Sequence, residues 1–188
     1  LGQMFIKGDG VDKDVTLGVE YLEKAADLGH PVAQNQLGMM YKDGREGVVQ
    51  DVEMGLKWLE KAAEQGEAEA QNVLGLHYLQ TEKYEKSVSH WEKAAEQGKT
   101  TAQLGLGLCY ANGLGVEINI ETSLDFILKA AEGGDEHALQ TRAQAMQALF
   151  QHAVSMTDAS IANRPESLRL MRKLADLGHG PAEDMLGK

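Results

Sequence analysis

Trp58–Gly66 reads WLEKAAEQG, and four other stretches of the 188-residue chain nearly repeat it. They are YLEKAADLG at Tyr21–Gly29, HWEKAAEQG at His90–Gly98, FILKAAEGG at Phe126–Gly134 and LMRKLADLG at Leu170–Gly178. Their shared lysines, Lys24, Lys61, Lys93, Lys129 and Lys173, are spaced 37, 32, 36 and 44 residues apart. That period is diagnostic of solenoids built from helical hairpins, in which each hairpin buries its apolar face only by stacking on the next.

A second block precedes the first in each repeat. It reads AQNQLGMMYKDG at Ala33–Gly44, AQNVLGLHYLQT at Ala70–Thr81 and AQLGLGLCYANG at Ala102–Gly113, then degenerates to ALQTRAQAMQAL at Ala138–Leu149. Ala33, Leu37 and Tyr41 fall at i, i+4 and i+8 and share one helical face, while Gly38 removes a side chain where a second helix approaches closely. The columns recur as Ala70, Leu74, Gly75, Tyr78 and as Ala102, Leu106, Gly107, Tyr110. Each block is therefore a first helix, A. A Gly-x-Gly-Val turn follows at Gly8–Val11 and Gly113–Val116, and with one extra residue at Gly44–Val48; glycine supplies positive φ and valine re-enters the core. Helix B then starts near an acidic residue such as Asp14 or Asp51 and ends at Gly29, Gly66, Gly98, Gly134 or Gly178.

Composition narrows the partners. The net charge of −11 and the lack of any basic run argue against nucleic acid, and no apolar stretch reaches the 18 or so residues of a membrane span. Cys109 is the only cysteine, which fits a reducing compartment without excluding export and forbids an internal disulfide. Abundant glycine, at 21 residues, beside only three prolines suits helices joined by glycine turns.

The paired blocks A-x-x-x-L-G-x-x-Y-x-x-G-x-G-V and W-x-x-K-A-A-x-x-G resemble the Sel-1-like repeat, a branch of the tetratricopeptide-like helical repeats, over nearly the whole chain. The resemblance implies an all-α fold, a right-handed α/α superhelix or solenoid of antiparallel helix pairs. It further implies a non-enzymatic scaffold or adaptor, with no catalytic residue, cofactor or metal in the motif. The expected divisions are a partial repeat over 1–29, repeats over 30–66, 67–98 and 99–134, a degenerate longer repeat over 135–178 and the start of another at 179–188. Two departures stand out. The repeat after Tyr78 lacks the Gly-x-Gly-Val turn, and the one starting near His137 places Arg142 and Ala143 in the Leu-Gly columns. In the latter a longer helix A is expected, then a loop across Ser155–Pro165 and helix B from about Glu166.

A binding surface is expected on the concave side, lined by helices A. At about 100° per residue from Leu37, the side chains of Asn35, Met39 and Lys42 point away from the hairpin core. The tetratricopeptide pattern, carried over by position, adds Val32 and Asp43, then Glu69, Asn72, Leu76, Leu79 and Gln80, then Thr101, Leu104, Leu108, Ala111 and Asn112, and finally Gln140, Gln144 and Gln147. Met39, Leu76 and Leu108 form an apolar stripe. It is either buried by tight curvature of the superhelix or open to an extended or helical peptide whose backbone the Asn and Gln amides would bond.

Other candidate chemistry is weaker. Gly8–Asp14 lacks the alternating acids and distal Glu of a calcium loop, and Gly105-Leu106-Gly107 lies within a helix rather than after a strand. Cys109 has no evident activating partner, and the six histidines include no H-x-x-x-H pair. Trp58 and Trp91 read as packing residues, and Glu60, Glu64, Glu92 and Glu96 as a solvated acidic face. Two other function classes remain beside the scaffold: a structural spacer within a larger repeat protein, and a β-lactam-binding or hydrolysing enzyme, as the family's cysteine-rich branch would imply. That branch carries a cysteine pair per repeat, against the single Cys109 here. Leu1-Gly2 and Leu186-Gly187 both match the helix A signature without its remainder. The chain is accordingly expected to be part of a longer array whose uncapped terminal repeats pair in a homodimer or lattice contact.

Overall fold

The computed structural model describes residues 1–159 and 164–187, and its regular elements are all helices. They fall into two compact units, Leu1–Lys99 and Thr100–Lys188. The first holds α1 (Gly2–Lys7), α2 (Val15–Asp27), α3 (Pro31–Asp43), α4 (Val52–Glu64), α5 (Ala68–Gln80) and α6 (Tyr84–Glu96). The second holds α7 (Thr100–Asn112), α8 (Ile120–Glu132), α9 (Glu136–Ala159), α10 (Arg164–Asp176) and α11 (Gly180–Leu186). Within each unit every helix packs on the next in the chain.

One hydrogen bond recurs at the hairpin turns. The backbone N–H before helix B donates to the carbonyl of the aromatic residue late in helix A: Asp14 to Phe5 at 2.9 Å, Asp51 to Tyr41 at 2.8 Å, Lys83 to Tyr78 at 2.8 Å and Asn119 to Tyr110 at 2.9 Å. The Asp14, Asp51 and Asn119 side chains then accept from Leu17, Met54 and Thr122 N–H groups, which satisfies one of the free donors of the new helix. Lys83 cannot cap in this way, and its shortened turn carries Glu82 at φ 58°, a left-handed conformation that the longer turns give mostly to glycines, with Glu46 at φ 54° the exception among the described residues.

Small residues bring the paired helices into backbone contact. A β-carbon on Gly38 would fall 2.7 Å from Leu59 Cγ and 2.9 Å from the Gly55 carbonyl oxygen, and one on Gly55 2.7 Å from the Gly38 oxygen. Helix B thus has its own small column six residues before the repeat lysine: Gly18, Gly55, Ser87, Ser123 and Ser167. Two of these serines donate across the contact, Ser87 Oγ to the Gly75 oxygen and Ser167 Oγ to the Ala153 oxygen, both at 2.7 Å. Helices B end in Schellman turns: in α2, His30 N–H bonds the Ala25 oxygen at 3.0 Å and Gly29 N–H the Ala26 oxygen at 2.9 Å, with Gly29 at φ 88°.

In the first unit successive hairpins are tied by the glutamine of the Ala-Gln pair. Gln34 is buried; its amide donates to the Ala26 oxygen at 3.0 Å, and its own oxygen accepts from Gln65 at 2.7 Å. Gln71 repeats this with Ala63 at 3.0 Å and Gln97 at 2.8 Å. Tyr41 and Tyr78 hydroxyls donate to Glu23 and Glu60 of the preceding helix B, at 2.9 and 3.0 Å. Glu60 is therefore a partner in packing as well as a surface acid.

The degenerate repeat differs from its sequence reading. Its helix A, α9, is long, at 24 residues, but it continues through Ser155 to Ala159, and α10 already begins at Arg164; residues 160–163 of the expected loop lie outside the described residues. The small column against α10 is filled by Ala153 instead of Ala143. The cause is a division of labour along α9. Ala138 and Ala145 near its start pack with Ile127 and Ala130 of α8, while Leu149 and Ala153 near its end pack with Leu170 and Leu174 of α10. Arg142 lies on the earlier stretch, and its guanidinium donates to the Leu177 oxygen at 3.4 Å.

Candidate functional site

The helix A faces carry the residues singled out for binding, and each unit presents its own set. On α3 of the first unit, Asn35 is 5% exposed and its Oδ1 has no hydrogen-bond partner among the described residues. One turn on, Met39 packs half-buried against the cluster of Leu59, Ala70 and Leu74. Lys42 pairs with Asp43 at 2.5 Å, and Asp43 also with Arg45 at 2.6 Å. On α5, Asn72 and Leu79 are half-buried and Leu76 is 49% exposed. Burial first, then the nearby charges of Lys42 and Lys83, lower the pKa of His77 beside it below its ordinary value, which disfavours the charged imidazolium.

In the second unit, Leu104 packs half-buried against Ile127, Ala130 and Ala138, while Leu108 on the same face of α7 is 43% exposed. Asn112 is exposed and its amide folds back to the Leu108 oxygen at 2.8 Å. Gln140 and Gln144 stand exposed on α9. The expected apolar stripe is thus uneven: Met39 is part of a packed cluster, and Leu76 and Leu108 are open to solvent.

The weaker candidates are occupied by folding roles. Asp14 of the glycine-rich turn caps α2 at 3.0 Å, and Gly107 abuts Ile127 and Ser123. Cys109 is 1% exposed, and burial pushes its thiol up to about 11, far from a reactive thiolate at neutral pH. Trp91 fills the space over Gly75, and Lys61 sits over the Trp58 ring at 4.1 Å. Among the described residues no helix is long and apolar enough to cross a membrane. A cleft of about 330 Å³ between α4, α5 and α6, with Glu60, Glu64, Lys86, His90 and Lys93 on its walls, was not anticipated. Its signal in the sequence is His90, an imidazole where other repeats place Tyr21, Trp58 or Phe126.

Comparison with known proteins fits this architecture. The Sel1 repeat family model matches residues 1–30, 31–67, 68–99, 100–135 and 158–179. The crystal structure of c5321, a protective antigen present in uropathogenic Escherichia coli strains and displaying an SLR fold, is 27% identical, with a TM-score of 0.72. The match covers 98% of this chain and 44% of that one, so the chain spans less than half the length of c5321. The crystal structure of a Sel1 repeat protein from Oxalobacter formigenes is 30% identical, with a TM-score of 0.66 over 99% of this chain and 74% of that one. No curated protein matches. Five family repeats laid along these antiparallel helix pairs, in an all-α solenoid fold shared with both crystal structures, make the chain a member of the Sel1 repeat family, whose proteins generally serve as protein-interaction scaffolds.

Proposed function

We propose that the chain is a non-enzymatic interaction module that takes a peptide or protein segment on its helix A faces. The observation that carries this is the exposure of Leu76 and Leu108, 49% and 43%, in columns whose neighbours are packed. Asn72, Leu76 and Leu79 share one face of α5, and Leu104, Leu108 and Asn112 one face of α7, so each unit offers an apolar anchor point flanked by an amide. An apolar side chain of the partner would supply affinity, and the amides would orient its backbone. In the first unit Asn35, Met39 and Lys42 stand on α3 in the columns corresponding to those of α5, and in the second unit the exposed Gln140 and Gln144 stand on α9.

The burial of Asn35 and Met39 favours a second reading, a structural spacer whose helix A faces are filled by the array itself. Selection from a displayed peptide library on the purified chain separates the two. Selected peptides should lose binding at least about tenfold, or about 1.4 kcal/mol, with Leu76→Glu or Leu108→Glu, while circular dichroism stays unchanged. Peptides bound equally well by both variants would defeat the interaction-patch reading, and a library yielding no binder would favour the spacer.

A further inference from the structure

The cleft of about 330 Å³ in the first unit coincides with one departure from the repeat. In three other repeats the block lysine rests on an aromatic ring three residues earlier: Lys24 over Tyr21 at 5.6 Å, Lys61 over Trp58 at 4.1 Å and Lys129 over Phe126 at 5.5 Å. The corresponding pair in α6 is Lys93 and His90. An imidazole is smaller than these rings and a poorer seat for a cation, so the change both opens space and leaves the Lys93 ammonium without its platform. His90 lies instead against Tyr78, ring centroids 5.4 Å apart and 20° from parallel. Burial first, and the charge of Lys93 second, hold the His90 pKa below its ordinary value.

Charge on the walls then selects a ligand. Helix α4 contributes Glu60 and Glu64, and α6 contributes Lys86, Ser89 and Lys93. None of these four charges forms an ion pair with another: Glu60 accepts from the Tyr78 hydroxyl at 3.0 Å, and Lys86 lies over the Tyr78 ring at 5.3 Å. A lone anion in the cleft meets the two glutamates, and a lone cation the two lysines. A compact molecule carrying both charges avoids either repulsion.

We propose that this cleft binds a zwitterionic α-amino carboxylate, a free amino acid or a very short peptide. Its carboxylate is directed to Lys86 and Lys93, its ammonium to Glu64 and Glu60, and its side chain to the Tyr78–His90 pair. The volume lies at the small end of ligand pockets, which suits a molecule of that size. The site shares no residue with the Leu76 patch, so either can fail without the other.

The test is a titration of the purified chain with L-phenylalanine and L-glutamine, following the His90 ring resonances by NMR. A saturable shift is expected with at least one of them. For that ligand, the N-acetyl derivative, which lacks the ammonium, and the amide derivative, which lacks the carboxylate, should each bind about tenfold more weakly. Lys93→Met and Glu64→Gln, both at exposed positions, should weaken binding similarly with the helical signal unchanged. Shifts that are absent or unsaturable with both amino acids, or that are equal for the blocked derivatives, overturn the proposal.

Discussion

The hairpin with the tightest turn, α5–α6, and the one with the longest helix A, α9–α10, close on the same interaction. In one, helix A has 13 residues and the turn is cut to Thr81–Lys83; in the other, helix A has 24. Yet Ser87 reaches the Gly75 oxygen and Ser167 the Ala153 oxygen at an identical 2.7 Å. The pairing tolerates changes in loop length and helix length because the backbone contact is set by small side chains, not by the turn. What changes is the bulk beside it. Gly75 makes room for Trp91, whereas Ala153 already carries the β-carbon that Gly75 lacks.

The largest way to break this comparison is Gly75→Ala. The new β-carbon would land on the Trp91 indole, and a loss of about 2 kcal/mol is expected from overpacking despite the better helix propensity of alanine. The reverse change, Ala153→Gly, should cost about 1 kcal/mol through helix propensity and a small lost contact. Thermal and urea unfolding would show whether the two differ; equal losses would mean that Trp91 does not set the tolerance of α5. Next, Ser87→Ala and Ser167→Ala should each cost about 1 kcal/mol, the worth of one buried hydrogen bond. A silent Ser167→Ala beside a costly Ser87→Ala would show that the shared bond matters in only one hairpin. Glu82→Gly, in the short turn alone, should gain about 0.5 kcal/mol by relieving a left-handed non-glycine residue.

The smallest effect distinguishes the two helices B. Arg169 and Lys173 of α10 bond Glu121 of α8 at 2.5 and 3.0 Å, and Lys173 also bonds Asp125 at 2.6 Å, while no ion pair joins α6 to α4. The hydrogen bond from Arg169 is the main cause that lowers the Glu121 pKa, opposed by burial. A carboxylate with a lowered folded pKa stabilises fully above its ordinary value, 4.5, and loses that contribution as pH falls through the folded value. Unfolding measured against pH should show this loss, worth a few tenths of a kcal/mol at a half-exposed network, and Glu121→Gln should abolish it. An unchanged acid profile in that variant would leave α10 held by packing alone.

The features legible in the sequence were those set by local geometry. The glycine stops, the Asp14 and Asp51 caps and the close approach at Gly38 all follow from residue type at fixed offsets. The small column of Gly55, Ser87 and Ser167 was missed although it lies six residues before the repeat lysine, because serine there looks like an ordinary polar residue. The α9 register was missed because the extra turns are helical and leave no break to read; Arg142 stood where the period placed it, and the contact had moved to Ala153. At the candidate surface, the direction of Asn35, Met39 and Leu76 followed from helical rotation, but their unequal burial did not. For Met39 it depends on the Ala70 and Leu74 side chains that the next hairpin lays against α3, a quantity no single helix encodes.

The glutamine ties also determine how the first unit comes apart. Gln34 spans two hairpins, holding the Ala26 carbonyl with its nitrogen and Gln65 with its oxygen, and Gln71 does the same between Ala63 and Gln97. Opening any one hairpin therefore strands a buried amide or carbonyl in its neighbour, at a cost of about 1–3 kcal/mol for each unsatisfied group. Partly open states are penalised relative to fully open ones, so the slowest-exchanging amides of α3, α4 and α5 should share one opening free energy instead of forming a gradient from the end of the array.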